Sequence, residues 1–256
     1  MKTDVLILSY CKDAAHFQMN LKCLETLLDS EAEGSFEILV IESNKAFHEE
    51  GYAYPWPEVK VLIPEEDFNF NRFLNLGLAQ TTGEWVAICN NDLVFEKGWH
   101  SALMKVRSQN PDLRSLCPMD DQSEYTPAAQ FSARDHYRGY RIRTEFVGWC
   151  YVVERKAIEE IQAFDERFGF YYQDDDFAMS LRKHCISHAM VPGSRVHHVG
   201  AVSSSSSGIN PRFAKDQAIY HQKWGSQRLL AWKNRLAVPL KALGMKKAIH
   251  TLYSQR

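Results

Sequence analysis

Three clusters in this chain carry groups suited to chemistry on a charged substrate. Asn90-Asn91-Asp92 follows an apolar stretch directly, so Asp92 emerges at the end of a predicted strand. One carboxylate there can ligate a hard divalent ion whose other positions are filled by phosphate oxygens. Asn and Asp serve equally in turns and helix caps. Asp174-Asp175-Asp176 sets three carboxylates side by side. Their repulsion requires capping, pairing or a metal. Both an amino-terminal cap for Phe177 to Lys183 and a general base facing the site are expected here. At an ordinary pKa of ~3.9 such a base is already ionised at neutral pH. His197-His198 closes a predicted strand, where alternation sends one ring into the site and the other away.

Other chemistries find less support. His184 and His188 have the i, i+4 spacing of a zinc pair, but Ile186 to Val191 reads as a strand, which removes the helical face that would unite them. The chain has no GxGxxG, Walker-type phosphate loop, GxSxG elbow or HExxH. Dehydrogenase, P-loop kinase and serine hydrolase readings lose their main signatures.

The elements that must position these groups alternate. Val5 to Leu8 reads as a buried strand, Asp13 to Ser30 as a helix, and Phe36 to Ile41 as a strand. Val59 to Ile63, a helix over 71–80, and a strand from Glu84 to Cys89 follow. This order predicts an α/β fold with a mostly parallel sheet between helices. Ligands of such sheets bind beyond the carboxyl ends of the strands. Those ends carry Ser9-Tyr10, Glu42-Ser43-Asn44 and Asn90-Asn91-Asp92, so one polar crevice is expected. Residues 118–145 read as polar and aromatic loop. A second organised block runs from Phe146 to His198 and holds Gly148-Trp149-Cys150, a helix near Arg155 to Gln162 and a strand near His188 to Val191. The run Ser203 to Ser207 reads as a mobile loop.

Composition bounds the class. With 256 residues, 45% hydrophobic and 24% charged, the chain has ample apolar material for a core. Its apolar runs fall far short of the roughly 18 residues of a membrane span, and its acidic start does not resemble an export signal. A cytoplasmic location is expected. The six scattered cysteines, with no CxxC pair, read as free thiols. The net charge of −2 hides an asymmetry: residues 212–256 hold ten Lys and Arg against one acid, Asp216. Such a tail meets something anionic, either lipid headgroups, nucleic acid or the acidic body itself. Phe213, Tyr220 and Trp224 read as core anchors. Beyond them, Leu229 to Tyr253 predicts two short amphipathic helices interrupted by Pro239 and Gly244, suited to a membrane interface.

Taken in order, the strand ending in Ser9-Tyr10, the strand ending in Glu42, "FLNLGLAQTTGEW" around Asn75, "NND", "FDERFGFYYQDDDF" and "VHHVG" resemble the family 2 glycosyltransferases of GT-A fold over residues 3–200. The resemblance implies a Rossmann-like, mixed but mostly parallel sheet flanked by helices. It places the catalytic domain in 1–211 and a basic helical extension in 212–256. It also implies inverting transfer of a sugar from a nucleotide-diphosphate donor to an acceptor hydroxyl, with Mn2+ or Mg2+. Ser9, Tyr10 and Glu42 match positions that hold nucleobase and ribose, and Asn75, Asn90, Asn91 and Trp149 join the donor-binding set. Asp92 matches the metal-binding acid and His198 the metal-side histidine, with His197 in reserve. Asp174 matches the catalytic base, or Asp175 if the register slips by one. Asn90 stands where the family's first DxD acid belongs, and Gln173 replaces the usual Glu.

The serine run falls where a lid over the donor would belong. The expected acceptor is a cell-surface glycan or lipid-linked saccharide, with the protein peripheral at the membrane. A hydroxylated base of phage DNA is the alternative. A nucleotidyltransferase or a non-catalytic glycan- or DNA-binding protein are the rival classes.

Overall fold

Thr3–Ser9 (β1) is buried at every position, as a strand covered by helices on both faces must be. In the computed structural model, which describes residues 2–124, 126, 128–200 and 211–254, it is followed by α1 (Ala14–Asp29), β2 (Phe36–Glu42), β3 (Val59–Leu62), α2 (Phe70–Ala79) and β4 (Trp85–Asn90). Next come β5 (Leu93–Phe95), α3 (Trp99–Gln109), β6 (Leu113–Met119), α4 (Ala128–Phe131), β7 (Tyr137–Arg138), β8 (Cys150–Glu154) and α5 (Arg155–Glu160). The last elements are α6 (Gln173–Lys183), β9 (Ser187–His198), α7 (Pro211–Trp224), α8 (Gln227–Ala242) and α9 (Lys246–Ser254).

The sheet order is β3-β2-β1-β4-β8-β6-β9-β5, with β7 also on β9. β1 pairs in parallel with β2 and β4, and β2 with β3. β8 runs antiparallel between β4 and β6, and β6 is parallel to β9. The sheet is therefore mostly parallel, with β5, β7 and β8 reversed. Alternation along β1 builds two cores. Val5 and Ile7 pack with Leu24 and Leu27 of α1 and Leu103 of α3. Leu6 and Leu8 pack with Phe73 and Leu74 of α2 and Leu181 of α6 on the opposite face. α1 starts where the Asp13 carboxylate accepts from the Ala15 and His16 amides, and α2 where Asn69 accepts from the Arg72 amide.

Several expectations are corrected. β6 lies where no strand is predicted, because Arg114, Ser115 and Pro118 break its apolar run; Ser115 is nevertheless buried and bonded to the His188 ring. None of Asp174, Asp175 and Asp176 caps α6. Tyr172 occupies the cap position with φ 60°, and the three acids form the first turn, where the helix dipole favours them. α8 continues through Pro239 instead of breaking there. Proline's own φ is helical, and it falls in the last turn; the chain ends the helix at Gly244, whose φ is 67°. Tyr220 and Trp224 are buried, whereas Phe213 is exposed, its ring meeting Tyr171 in a T and Tyr172 at a tilt. The cysteines are free thiols, Cys89 and Cys150 approaching to 3.7 Å. His184 and His188 form no pair: His188 is held by Ser115 and the Glu145 carbonyl, and the His184 ring lies against His250. The serine run 203–207 lies outside the described residues.

α7, α8 and α9 share a third core with Phe168 and with Met179 of α6. No helix among the described residues is long and apolar enough to cross a membrane.

Candidate active site

At the carboxyl ends of β1 and β2, Ser9 donates to the Glu42 carboxylate at 2.6 Å. Glu42 is fully buried and also accepts from the Cys11 and Asn44 amides. A buried carboxylate needs such donors. Ser9 and Glu42 thereby hold the loops around Tyr10 and Ser43. Tyr10 itself is 56% exposed. Asn20 of α1 donates to Ser9 Oγ and Tyr54 Oη and accepts from Asn91 Nδ2 at 2.6 Å, so one hydrogen-bonded chain joins the ends of β2, β1 and β4. Asn20 carried no sequence signal beyond its place on the first helix.

The register of β5 against β9 sets Leu93 opposite His198 and Val94 opposite His197. The Val199 amide donates to the Asp92 carbonyl. Asp92 and His198 are thereby brought together, with His198 Nε2 lying 3.2 Å from Asp92 Oδ1. That oxygen is shut from solvent and accepts no hydrogen bond. Asn90 Nδ2 lies 3.4 Å from the same ring nitrogen. An orphaned carboxylate oxygen beside an imidazole nitrogen is a donor set that suits a divalent cation.

His197 points the other way. Its Nε2 lies 2.9 Å from Glu96 Oε1 and its Nδ1 3.4 Å from Asp120 Oδ1. Burial alone would lower its pKa, but the Glu96 and Asp120 carboxylates outweigh that and hold it above the ordinary value. Asp120, Asp121 and His197 place ligand atoms within 4.8 Å of one another, a second arrangement able to hold a metal. Asp121 is also paired with Arg195.

Asp174 and Asp175 open α6. The Asp175 amide donates to Asp174 Oδ1 at 2.9 Å. Burial raises the pKa of Asp174 despite those backbone donors and the nearby Arg143. Asp175 is pushed up to about 7, by burial first and then by the Asp174 charge. The expectation of an ordinary, fully ionised aspartate is thus corrected: desolvation and a like-charged neighbour disfavour ionisation.

Residues 148 and 149 join the two acidic centres. A Cβ on Gly148 would lie 2.6 Å from Asp174 Oδ2. The next residue, Trp149, stacks on His198 with ring centroids 5.6 Å apart and planes 13° apart. Its carbonyl accepts from the Asn90 amide. Cα atoms of neighbouring residues are about 3.8 Å apart. Asp174 and the Asp92–His198 pair therefore flank one short piece of backbone.

Asn75 serves elsewhere. Its amide donates to the Phe164 carbonyl and Glu166 and accepts from the Phe164 amide. It clamps the 164–166 turn that leads toward α6. The extension completes this scaffold. Buried Asp216 of α7 accepts from the Phe170 and Tyr171 amides. Lys223 bridges Asp165 and Asp176, and Trp224 Nε1 donates to Asp176 at 2.7 Å. Sequence reasoning missed Asp216, although its being the one acid in a cationic tail was a usable signal. Asp176→Ala is expected to cost about 2–3 kcal/mol, since it strips two donors of a buried acceptor while Lys223 keeps Asp165. Urea unfolding measures this directly.

The glycosyl transferase family 2 profile matches residues 15–162, more than half of the chain. The N-acetylglucosaminyl-diphospho-decaprenol L-rhamnosyltransferases of two Mycobacterium tuberculosis strains are each 24% identical to it over 232 residues, covering 73% of this chain and 75% of theirs. Among solved structures, GalNAc-T7 with UDP, GalNAc and Mn2+ superposes with a TM-score of 0.68 at 13% identity over 98% of this chain. Residues 1–349 of S. aureus TarS superpose with a TM-score of 0.57 at 14% identity over 77% of it. The chain spans 54% and 59% of those two structures, and at such identities they establish the fold. A GT-A fold carrying this family's sequence profile makes the chain a member of glycosyl transferase family 2.

Proposed function

We propose that the chain transfers a sugar, with inversion, from a nucleotide-diphosphate donor to the hydroxyl of a lipid-linked saccharide. The observation that carries this is the 148–149 strip, which touches Asp174 on one side and His198 and Asn90 on the other. A base and a diphosphate-side cluster separated by so little backbone suit a single displacement at an anomeric carbon. The lipid-linked acceptor is favoured over DNA because the named activity of the Mycobacterium relatives is on a diphospho-decaprenol-linked sugar.

In this reading Asp92 and His198 hold a divalent cation, Mn2+ or Mg2+, with Asn90 and Asn91 beside the diphosphate. The orphaned Asp92 Oδ1 supports that assignment. Bound there, the ion would supply electrostatic stabilisation of the leaving diphosphate. Tyr10, exposed on the loop that Ser9 and Glu42 hold, contacts the nucleoside. Trp149 walls the site between base and cation. Ionised Asp174 removes the proton of the acceptor hydroxyl as its oxygen bonds to the anomeric carbon. The bond from that carbon to the diphosphate oxygen breaks, and the nucleotide diphosphate leaves with the electron pair. Attack from the face opposite the leaving group inverts the centre.

The test is release of nucleotide diphosphate and mass-detected sugar transfer to polyprenyl-diphosphate-linked N-acetylglucosamine, across a donor panel, with Mn2+, Mg2+ or EDTA. Absence of release and of thermal stabilisation with every donor would sink the reading. Gly148→Ala is expected to lower kcat about 10²-fold with little change in donor KM, because the added methyl displaces Asp174 from its near-attack position. Steady-state kinetics on the folded variant checks it.

A further inference from the structure

We propose that the hollow between the sheet and the carboxyl-terminal helices binds the phosphate of an anionic phospholipid headgroup, between Arg182 and Lys241. The hollow has a volume of about 280 Å³ and adjoins a second of about 330 Å³, with which it shares Ser187 and Lys241. It lies where β6 and β9 begin, the end of the sheet opposite Asp92 and His198. It is therefore separate from the donor crevice and leaves that crevice open.

Charge bookkeeping singles out two groups. Arg138 is neutralised by Asp112 and Arg141 by Glu145. Arg182 and Lys241 make no ion pair with any described residue. Arg182 donates at 3.4 Å to the Asn234 carbonyl. Lys241 donates to Tyr140 Oη at 3.5 Å and Ser187 Oγ at 3.4 Å. Both cations sit 5.7 Å from the centroid of the Tyr140 ring. Two cations held on one ring with only long bonds to neutral oxygens repel each other, and an anion between them removes that cost. Burial is the main cause that lowers the Lys241 pKa; Cys185 and Asp112 oppose it, and Arg138 and Arg182 add to it.

The rim selects a lipid over free phosphate. Val238, which lines the hollow, is 66% exposed, and Leu243 and Met245, on either side of Gly244 in the adjoining hollow, are 72% and 47% exposed. Lys246 and Lys247 follow. Apolar side chains around unpaired cations match the boundary between headgroups and acyl chains; a soluble phosphate has no use for them. This site stands apart from the transfer chemistry, and its test does not read that chemistry.

The experiment is flotation of the full chain with phosphatidylcholine vesicles, with and without a third of phosphatidylglycerol, at low and high salt. The wild type should float only with the anionic vesicles and should be released by salt. The Arg182→Gln, Lys241→Gln double variant should bind roughly 10- to 30-fold more weakly, from about 1 kcal/mol per cation near an anionic surface. Leu243→Ser with Met245→Ser should weaken binding several-fold. The control pair Lys22→Gln, Lys60→Gln removes the same charge from α1 and β3 and should float like wild type. Unchanged melting temperatures would show that these variants remain folded and that any loss belongs to the hollow. No binding to anionic vesicles, or equal losses in the two charge-removing variants, overturns the proposal. So does thermal stabilisation by inorganic phosphate without vesicle binding, or a gel shift of duplex DNA that alone depends on Arg182 and Lys241.

Discussion

Asp174→Asn is expected to lower kcat by 10²–10⁴-fold while leaving donor affinity within a few-fold of wild type. That range is the contribution of a positioned general base, about 3–5 kcal/mol of barrier. Asparagine keeps the size and one oxygen, so the packing against Gly148 and the bond from the Asp175 amide survive. The pH profile gives a second, independent reading. Asp174 and Asp175 titrate as a pair, with Asp175 pushed up to about 7. Because the raised values favour the protonated form, the active, ionised base accumulates as pH rises. In wild type, kcat/KM should therefore climb along an acid limb that lies above the ordinary carboxylate range. Asp175→Asn leaves the base in place and should retain an acid limb; Asp174→Asn should flatten it. Stability has the opposite sign. Between the ordinary carboxylate range and about 7 the folded pair holds more protons than the unfolded chain, so stability falls as pH rises. A full-rate Asp174→Asn enzyme would remove the base assignment.

Asp92→Ala should abolish cation-dependent turnover, a fall of about 10³-fold or more, comparable with losing a principal electrostatic stabiliser of a developing anion. Asp92 Oδ1 is buried without a hydrogen bond, and His198 Nε2 is 3.2 Å away. Removing the carboxylate leaves the histidine without its neighbour and takes away the hardest donor of the set. The change costs the fold little, since that oxygen accepts nothing, so melting should be close to wild type in EDTA. The distinguishing measurement is thermal shift with Mn2+ or Mg2+ and nucleotide diphosphate: wild type should be stabilised and Asp92→Ala should not. His197→Ala, which removes the ring held by Glu96 and Asp120, should retain cation-dependent turnover; its loss would transfer the metal role to the Asp120–Asp121–His197 cluster.

What the amino-acid order determined by itself was local. The apolar runs of β1, β2 and β4 and the helical spacing of α1 and α2 set alternation, layering and the polar strand ends, because a period of two or of 3.6 is written into neighbouring residues. Asp92 at a strand terminus and opposite facings for His197 and His198 follow from the same rule. Tertiary structure decided the rest. β8 inserts antiparallel beside β4 and brings Gly148 and Trp149 to the crevice, and the register of β5 on β9 sets His198 beside Asp92. Burial tied Ser9 and Glu42 into hydrogen bonds that hold the loops, and burial of Asp174 and Asp175 raised their pKa values. Asp216, Lys223 and Trp224 made the cationic extension part of the scaffold holding α6. Desolvation and pairing between distant segments depend on which surfaces close against each other, and no window of adjacent residues contains that information.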